Sequence, residues 1–354
     1  MKKVKIAMIG AGNIAGAHLE AYRAVANAEV VAICDIDPLR LRETADRFGI
    51  ARRYDSVEAM LAAEKELDAA DVCVWNCHHA KCAMAALNAG LHVLCEKPMA
   101  YTAAEAEEML ACAKKNGKLL MIGFVTRYDT ETLVVKDYID KGYTGQIYYA
   151  KAQYVRRHGN PGGWFSDKAR SGGGPVIDLG VHVIDRARYL MGRPTPVSVY
   201  AATFTRLGRR DNLKTKVAWS PKNASPTDVC DVEDGGTALI RFDNGAVIQL
   251  ETFYSLNGET RNGVELYGEK GGFSTGRGKT VLYTEINDFM TDVVIDTERY
   301  KDAVPMFQAE MQDFVNRVLA GDLDTANAED GVTVMKILDA IYESAQAGKE
   351  IVIK

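Results

Sequence analysis

The sequence predicts an α/β protein in two parts: a doubly wound parallel sheet, then an α+β region built on a large, mainly antiparallel open sheet. Three observations predict it. Up to about residue 125, short continuous apolar runs alternate with helix-like stretches, the order of a parallel sheet with right-handed crossovers. From Gly145 onward, strand-like segments follow one another with little helix between them. Within this second region SGGGPVIDLGVHVIDRARYLMG, beginning at Ser171, sets Ile177, Val181 and Ile184 at the three- and four-residue steps of an apolar helix face. The expected division is residues 1–125 and 126–354.

VKIAMIG is an apolar run of buried-strand length that feeds directly into GAGNIA. A helix-like stretch to about Ala26 follows, then EVVAICD, a second buried strand. Gly10, Gly12 and Ala15 fill the positions of G-x-G-x-x-G/A, with Asn13 and Ile14 between them in the candidate cofactor set. The first glycine permits the tight turn. The second lets backbone N–H groups approach a pyrophosphate, and the small third residue allows close helix–strand packing. Asp35 ends the second strand, 25 residues after Gly10. A carboxylate there accepts hydrogen bonds from a ribose 2′-OH and repels a 2′-phosphate, so NAD is expected over NADP. Strand, glycine turn, helix, strand and acid in register predict a Rossmann dinucleotide-binding domain. Arg40, one turn into DPLRLRETADRFG, is either a phosphate contact or a solvated surface arginine.

Asp37-Pro38 opens a helix that Gly49 can close, and DVCVWN is the next buried strand. HAKCAMAALNAG is a helix ending in glycine, and LHVLCEKP is strand-like. Thr102 to Glu105 is a capping box for a helix to about Asn116, and KLLMIGF completes the sheet. In the second region QIYYAKAQYV, PVSVYAATF, TALIRF, AVIQLETFY and VELYG read as strands, with Asn244-Gly245 a hairpin turn. VSVYAATF and AVIQLETFY carry apolar side chains on both faces, which suits helices on one face and another subunit on the other. PKNASPTDVCDVEDGG reads as a loop without legible chemistry.

The 354 residues are 47% hydrophobic and 26% charged with a net charge of -5, a soluble composition that gives no basic footprint for nucleic acid. No apolar run approaches the roughly 18 residues of a membrane span, and MKKVKIAMIG reads as a first strand rather than a signal peptide. Seven cysteines, an odd set placed mostly in apolar runs, fit reduced thiols in a cytoplasm. Cys77, His78, His79 and Cys82 match no familiar zinc spacing, so no metal is expected.

On the Ser171 segment, Pro175 suits the first helical turn and Gly192 can close the far end. Asp178, His182 and Asp185 share the helical spacing and line a second, polar stripe. Imidazole titrates nearest neutrality, which makes His182 a natural base for a hydroxyl proton. Asp178, one turn earlier, can orient the ring or hold a neighbouring hydroxyl. On periodicity alone, a satisfied core histidine and a cap-region acid are the plainer reading. The three glycines would let the helix start approach the cofactor cleft with little side-chain bulk. Asp185 and Arg186 read as a helical salt bridge or a solvated pair. The loop RRHGNPGGWFSDKARSGGG, from Arg156, offers Trp164 and Phe165 either to stack on the apolar face of a bound ligand or to anchor the loop.

With CEKP at residues 95–98, the chain resembles the glucose-fructose oxidoreductase, inositol dehydrogenase and MocA family over essentially its whole length. AALNAGLHVLCEKPMA looks like that family's strand into its Glu-Lys-Pro motif, and GFVTRYDTETLVVKDYIDKGYTGQI like its lead into the second domain. SGGGPVIDLGVHVID is similar to its catalytic helix, EDGGTALIRFDNGAVIQLE to its open sheet, and EDGVTVMKILDAIYESAQAGKEIVI to its C-terminal helix and strand. The resemblance implies that Lys97 lies between a substrate hydroxyl and the nicotinamide, with Glu96 beside it in the cofactor set. It implies that Asp178 and His182 are the aspartate and proton-accepting histidine of D-x-x-x-H, and that Arg127, Arg156 and Trp164 shape the substrate pocket; on chemistry His182 ranks ahead of Lys97 as base, with a desolvated Lys97 relaying the proton as the alternative. A cis peptide before Pro98 and dimers or tetramers formed through the sheet are also implied. VWNCHH departs from the family's usual Thr-Pro: Asn76-Cys77 stands in its place, with His79 aligned to the family's histidine. Asn76 and His79 are therefore expected on the nicotinamide side.

The implied activity is NAD-dependent hydride transfer with a secondary hydroxyl of a small carbohydrate, polyol or glycoside. Two alternatives stand beside it. One is an NAD-dependent glycosidase, known in the family, that oxidises a ring hydroxyl transiently. The other is a cofactor-binding regulator without catalysis, against which the presence of Lys97, Asp178 and His182 argues.

Overall fold

The computed structural model describes residues 2–210, 212–214, 221, 224, 225, 227–297 and 304–354; Lys222, Asn223 and Pro226 of the expected loop lie outside the described residues. The chain divides into two compact units, Met1–Tyr128 with Val304–Met335, and Asp129–Ala303 with Lys336–Lys354. A single cut after residue 125 therefore does not describe it.

In the first unit, β1 (Val4–Ile9), β2 (Ala28–Cys34), β3 (Arg52–Tyr54), β4 (Ala69–Val72), β5 (His92–Glu96) and β6 (Leu120–Gly123) form one sheet in the order β3-β2-β1-β4-β5-β6. Every pairing is parallel. The order reverses between β1 and β4, so the turn after β1 opens where sheets of this kind take their ligands. β3 is three polar-rich residues, too short to give a strand pattern in sequence. Asp37 caps the helix Pro38–Phe48 by accepting from Leu39 and Arg40, and Gly49 closes it at φ 71°. Thr102 caps Ala103–Asn116, which Gly117 closes at φ 60°. Met311, Phe314 and Val315 of the helix Met306–Ala320 share one buried cluster with Ile6, Met8, Leu19, Tyr22 and Ile33. Burying those apolar side chains is what draws the C-terminal segment onto this unit.

The second unit is organised by β7 (Ile147–Val155), β8 (Pro196–Phe204), β9 (Gly235–Phe242), β10 (Val247–Phe253), β11 (Arg261–Gly268), β12 (Gly271–Ser274), β13 (Thr280–Ile286), β14 (Phe289–Ile295) and β15 (Ile351–Val352). Their order is β14-β13-β12-β11-β7-β10-β9-β8-β15, antiparallel throughout except for β7 with β10. Gly245, at φ 82°, makes the β9–β10 turn. The two faces differ. Ala150, Ala152, Ile248 and Leu250 are buried, while Tyr149 donates to Gln249 and Gln153 to Glu251 on the other side. The second face of AVIQLETFY is mixed: Val247 and Phe253 keep the expected apolar character there, and Gln249 and Glu251 between them are polar. Among the described residues, no helix is long and apolar enough to cross a membrane.

Candidate active site

Two glycines of the turn after β1 do different work. Gly10 sits at φ +101°, and a Cβ there would lie 2.2 Å from the Cys73 carbonyl oxygen, so the fold itself demands glycine. Gly12 has φ -76°, and a Cβ there would meet nothing within 4 Å. The protein leaves that space open. The helix Asn13–Arg23 begins at this gap with no side-chain cap and no acidic residue in its first turn, which suits an anion. Asn13 is exposed, Ile14 half-buried, and Ala15 fully buried where helix meets strand. Asp35 accepts from the main-chain N–H groups of Ala11 at 2.7 Å and Asp37 at 2.8 Å, which holds its carboxylate beside the turn with lone pairs to spare. These residues fit a dinucleotide: open N–H groups for the pyrophosphate and an acid for the ribose. Arg40 is half-buried, with its main-chain N–H on Asp37.

The Lys97–Pro98 peptide is cis. Glu96 is buried, with Oε2 accepting the Lys97 main-chain N–H at 3.0 Å and Oε1 2.9 Å from His18 Nε2. His79, also buried, has Nδ1 2.7 Å from the Pro98 carbonyl and Nε2 3.2 Å from that of Val74. Burial lowers its pKa against the pull of these two carbonyls, and the ring bridges the proline to the segment that follows β4. Asn76 is buried in the short turn Asn76–His78. Glu96 and His79, expected to touch cofactor, thus have partners within the protein that account for them. Arg127 is buried and donates to Asp330 at 2.7 Å, its guanidinium stacked over Phe124. An internal ion pair thus holds the residue expected at the pocket wall. Among the described residues, the metal-ligating groups that converge are His18, Asp71 and Cys73, not Cys77, His78, His79 and Cys82.

In the second unit, Val176–Gly180 forms a π-helical turn that passes directly into the helix Val181–Leu190. Such wide turns mark functional positions more often than ordinary helix does. Asp178 lies in the turn and His182 one turn on, both half-buried. Tyr254, fully buried, donates its hydroxyl to Asp178 at 2.8 Å. Arg156 donates to the Tyr154 hydroxyl at 2.7 Å, and the Tyr154 ring centroid is 6.3 Å from that of His182. Burial opposes the Arg156 charge, but Tyr154 and Asp178 outweigh it and raise the pKa. Asp178, His182 and Arg156 are therefore brought together, with Tyr154 and Tyr254 added to the set. Trp164 stacks on Phe165 with ring centroids 4.0 Å apart. Asp185 and Arg186 are not a solvated pair: both are buried, and Arg186 reaches Asp129 at 3.6 Å and Glu131 at 3.5 Å.

The glycines of SGGGP answer to packing. A Cβ at Gly173 would lie 2.0 Å from the Tyr342 hydroxyl, and one at Gly174 2.3 Å from the Glu233 carbonyl oxygen. Glu233 accepts from the Gly174 and Val176 N–H groups at 2.9 and 3.1 Å and from the Tyr342 hydroxyl at 2.9 Å. It thereby holds the start of the turn that carries Asp178. Burial raises the Glu233 pKa against the pull of these donors. The expected loop thus contains a residue that builds the site. Neither Glu233 nor the tyrosines sit in any pattern that sequence reading detects.

Family comparison agrees with this architecture. Residues 4–124 match the oxidoreductase family with an NAD-binding Rossmann fold, and residues 132–274 match the GFO/IDH/MocA C-terminal domain. The chain belongs to the Gfo/Idh/MocA oxidoreductase family. A D-glucoside 3-dehydrogenase of Escherichia coli (strain K12) is 33% identical to it over 356 residues, 98% of this chain and 97% of the relative. An inositol 2-dehydrogenase of Salmonella typhimurium is 27% identical over 357 residues, covering 99% of this chain and 97% of that one. A levoglucosan dehydrogenase solved in complex with NADH superposes with a TM-score of 0.85 at 25% identity, over 100% of both chains. As a member of the Gfo/Idh/MocA family, the protein is an NAD-dependent oxidoreductase acting on a CH–OH group.

Proposed function

We propose that the protein oxidises a secondary ring hydroxyl of a glycoside or closely related sugar. The observation that carries this reading is the assembly on the Val176–Leu190 segment: a half-buried carboxylate and imidazole one turn apart, flanked by Arg156, Tyr154 and Tyr254. Several donors and acceptors close together suit a polyhydroxylated ring better than an isolated alcohol. The 33% identity to a glucoside dehydrogenase supports the same class.

Bound NAD supplies the hydride acceptor. The chain's own residues handle the proton and the orientation. His182 takes the hydroxyl proton, and Asp178, fixed by Tyr254, holds a neighbouring hydroxyl and stabilises the imidazolium. Lys97 donates to the substrate oxygen as negative charge develops there. Asp35 holds the adenosine ribose and the Gly10–Ala15 turn the pyrophosphate. Arg156 and Trp164 border the sugar. We also propose a cytoplasmic homo-oligomer in which the second face of the open sheet meets another copy, since Tyr200 and Leu239 stand half-exposed there in register.

The test mixes the protein with NAD and, separately, methyl glucosides, free sugars, myo-inositol and aryl glycosides, following reduced nicotinamide and released aglycone together. Nicotinamide reduction with glycosides is expected. Aglycone release without net reduction would replace this reading with the transient-oxidation glycosidase.

A further inference from the structure

Beneath the Glu96-Lys97-Pro98 turn runs a chain of buried ionisable groups that the proposed chemistry does not use. His18, on the helix Asn13–Arg23, is fully buried between two carboxylates. Its Nδ1 is 2.9 Å from Asp71 Oδ2 and its Nε2 is 2.9 Å from Glu96 Oε1. Cys73 Sγ lies 3.3 Å from Asp71 Oδ1 and 3.4 Å from His18 Nδ1. Asp71 comes from β4 and Glu96 from β5, so the imidazole ties the helix to two adjacent strands at once. The chain ends at Lys97, whose main-chain N–H is held by the second Glu96 oxygen at 3.0 Å.

The chemistry of these contacts is restrictive. Only an imidazolium donates through both ring nitrogens, so both carboxylates are satisfied only when His18 is charged. Burial works against that charge, but the attraction of the Asp71 carboxylate and its hydrogen bond exceed it and raise the His18 pKa well above the usual value. Glu310, on the helix Met306–Ala320, is buried with neither carboxyl oxygen hydrogen-bonded, and burial pushes its pKa well above the usual carboxylate range. An imidazolium that clamps two buried carboxylates is a rigid element, because releasing either would leave a charge buried and unpaired.

We propose that His18 is a positioning residue for Lys97: by fixing Glu96 it anchors the main chain from which the lysine side chain is aimed. This rests on the role given to Lys97 above. The helix residue behind the glycine turn would then set the geometry of the lysine through one intermediate carboxylate.

The test is hydrogen exchange of the cofactor-free protein, read on the peptide spanning residues 92–101. His18→Gln can serve only one carboxylate at a time, so the Lys97 amide is expected to exchange about tenfold faster or more while β1 and β2 amides keep their rates. Uniform acceleration across β1, β2 and β4 would mean a general packing role and overturn the proposal, as would an unchanged Lys97 amide. Should His18→Gln not fold, Asp71→Asn withdraws the other carboxylate that holds His18 while leaving Glu96 on the Lys97 amide, and is read identically. A second readout is a double-variant cycle with NAD and methyl β-D-glucopyranoside. If His18 acts through Lys97, His18→Gln lowers kcat with little change in KM, and adding it to Lys97→Ala lowers kcat no further. Additive losses would contradict the proposal. Absence of wild-type turnover would count against the proposed reaction and leave hydrogen exchange to decide the positioning of Lys97.

Discussion

Gly10→Ala and Gly12→Ala form a matched pair, because one glycine serves the fold and the other the ligand. At Gly10 the alanine must adopt φ +101°, which costs about 1–3 kcal/mol for a non-glycine residue. Its Cβ would also fall 2.2 Å from the Cys73 carbonyl oxygen, and backbone relief of such overpacking costs about 1–3 kcal/mol more. The sum, roughly 2–6 kcal/mol, corresponds to a melting point lower by roughly 4–24 °C at about 2–4 °C per kcal/mol. At Gly12 the backbone is ordinary and the space empty, so stability should change by less than about 1 kcal/mol. Its methyl group would occupy the space through which backbone approaches the pyrophosphate, and NADH affinity should fall at least about tenfold, about 1.4 kcal/mol. Thermal melts and NADH titration calorimetry on both variants measure the two effects. Wild-type NADH affinity in Gly12→Ala would refute the assignment of the turn, and a wild-type melt in Gly10→Ala would refute the steric argument.

Three further predictions follow from named contacts. Asp35→Asn removes the charge that repels a 2′-phosphate but keeps the side-chain shape, so NAD should bind about tenfold more weakly and the preference over NADP should narrow; titration with both cofactors reads this. Tyr254→Phe deletes the 2.8 Å donor to Asp178, and loss of a hydrogen bond to a charged group, about 1.5–3 kcal/mol, should lower kcat roughly tenfold or more with NAD binding unchanged. Wild-type kcat would remove Tyr254 from the site. Glu310→Gln tests the buried carboxyl. Because the folded Glu310 pKa lies above the unfolded value, the native state holds an extra proton above about pH 4.5, so stability falls as pH rises toward the folded pKa, by about 1.4 kcal/mol per pH unit at most. Glutamine cannot titrate, so denaturation midpoints of the variant should lack that slope, and identical pH profiles would contradict the assignment.

The legible part of the fold was local. The β1 apolar run, the glycine turn and Asp35 lie within one strand–helix–strand unit and declare themselves by spacing. Helix ends at Asp37, Gly49, Thr102 and Gly117 follow from capping chemistry that involves neighbours in sequence. The remainder depends on distant residues meeting. Nothing near Met306 states that Phe314 packs beside Ile6, since an apolar helix face names no partner. His18, Asp71 and Glu96 belong to three elements, and each alone reads as an ordinary residue of its helix or strand. Tyr254 meets Asp178, and Glu233 meets Gly174, only once the sheet has registered β10 against β7 and β9. Arg127 illustrates the converse: its region resembled a pocket wall, but burial gave it Asp330. The Val176–Gly180 turn was expected as plain helix, because the apolar spacing of Ile177, Val181 and Ile184 does not distinguish an α turn from a π turn.

The proposed role of Lys97 is on the substrate rather than on the fold or the cofactor. The most direct measurement compares wild type and Lys97→Ala for NADH binding by calorimetry and for NAD reduction with methyl glucosides. NADH affinity is expected within about threefold of wild type and kcat lower by about a hundredfold or more, the scale of losing a transition-state donor. Full turnover in Lys97→Ala would contradict it.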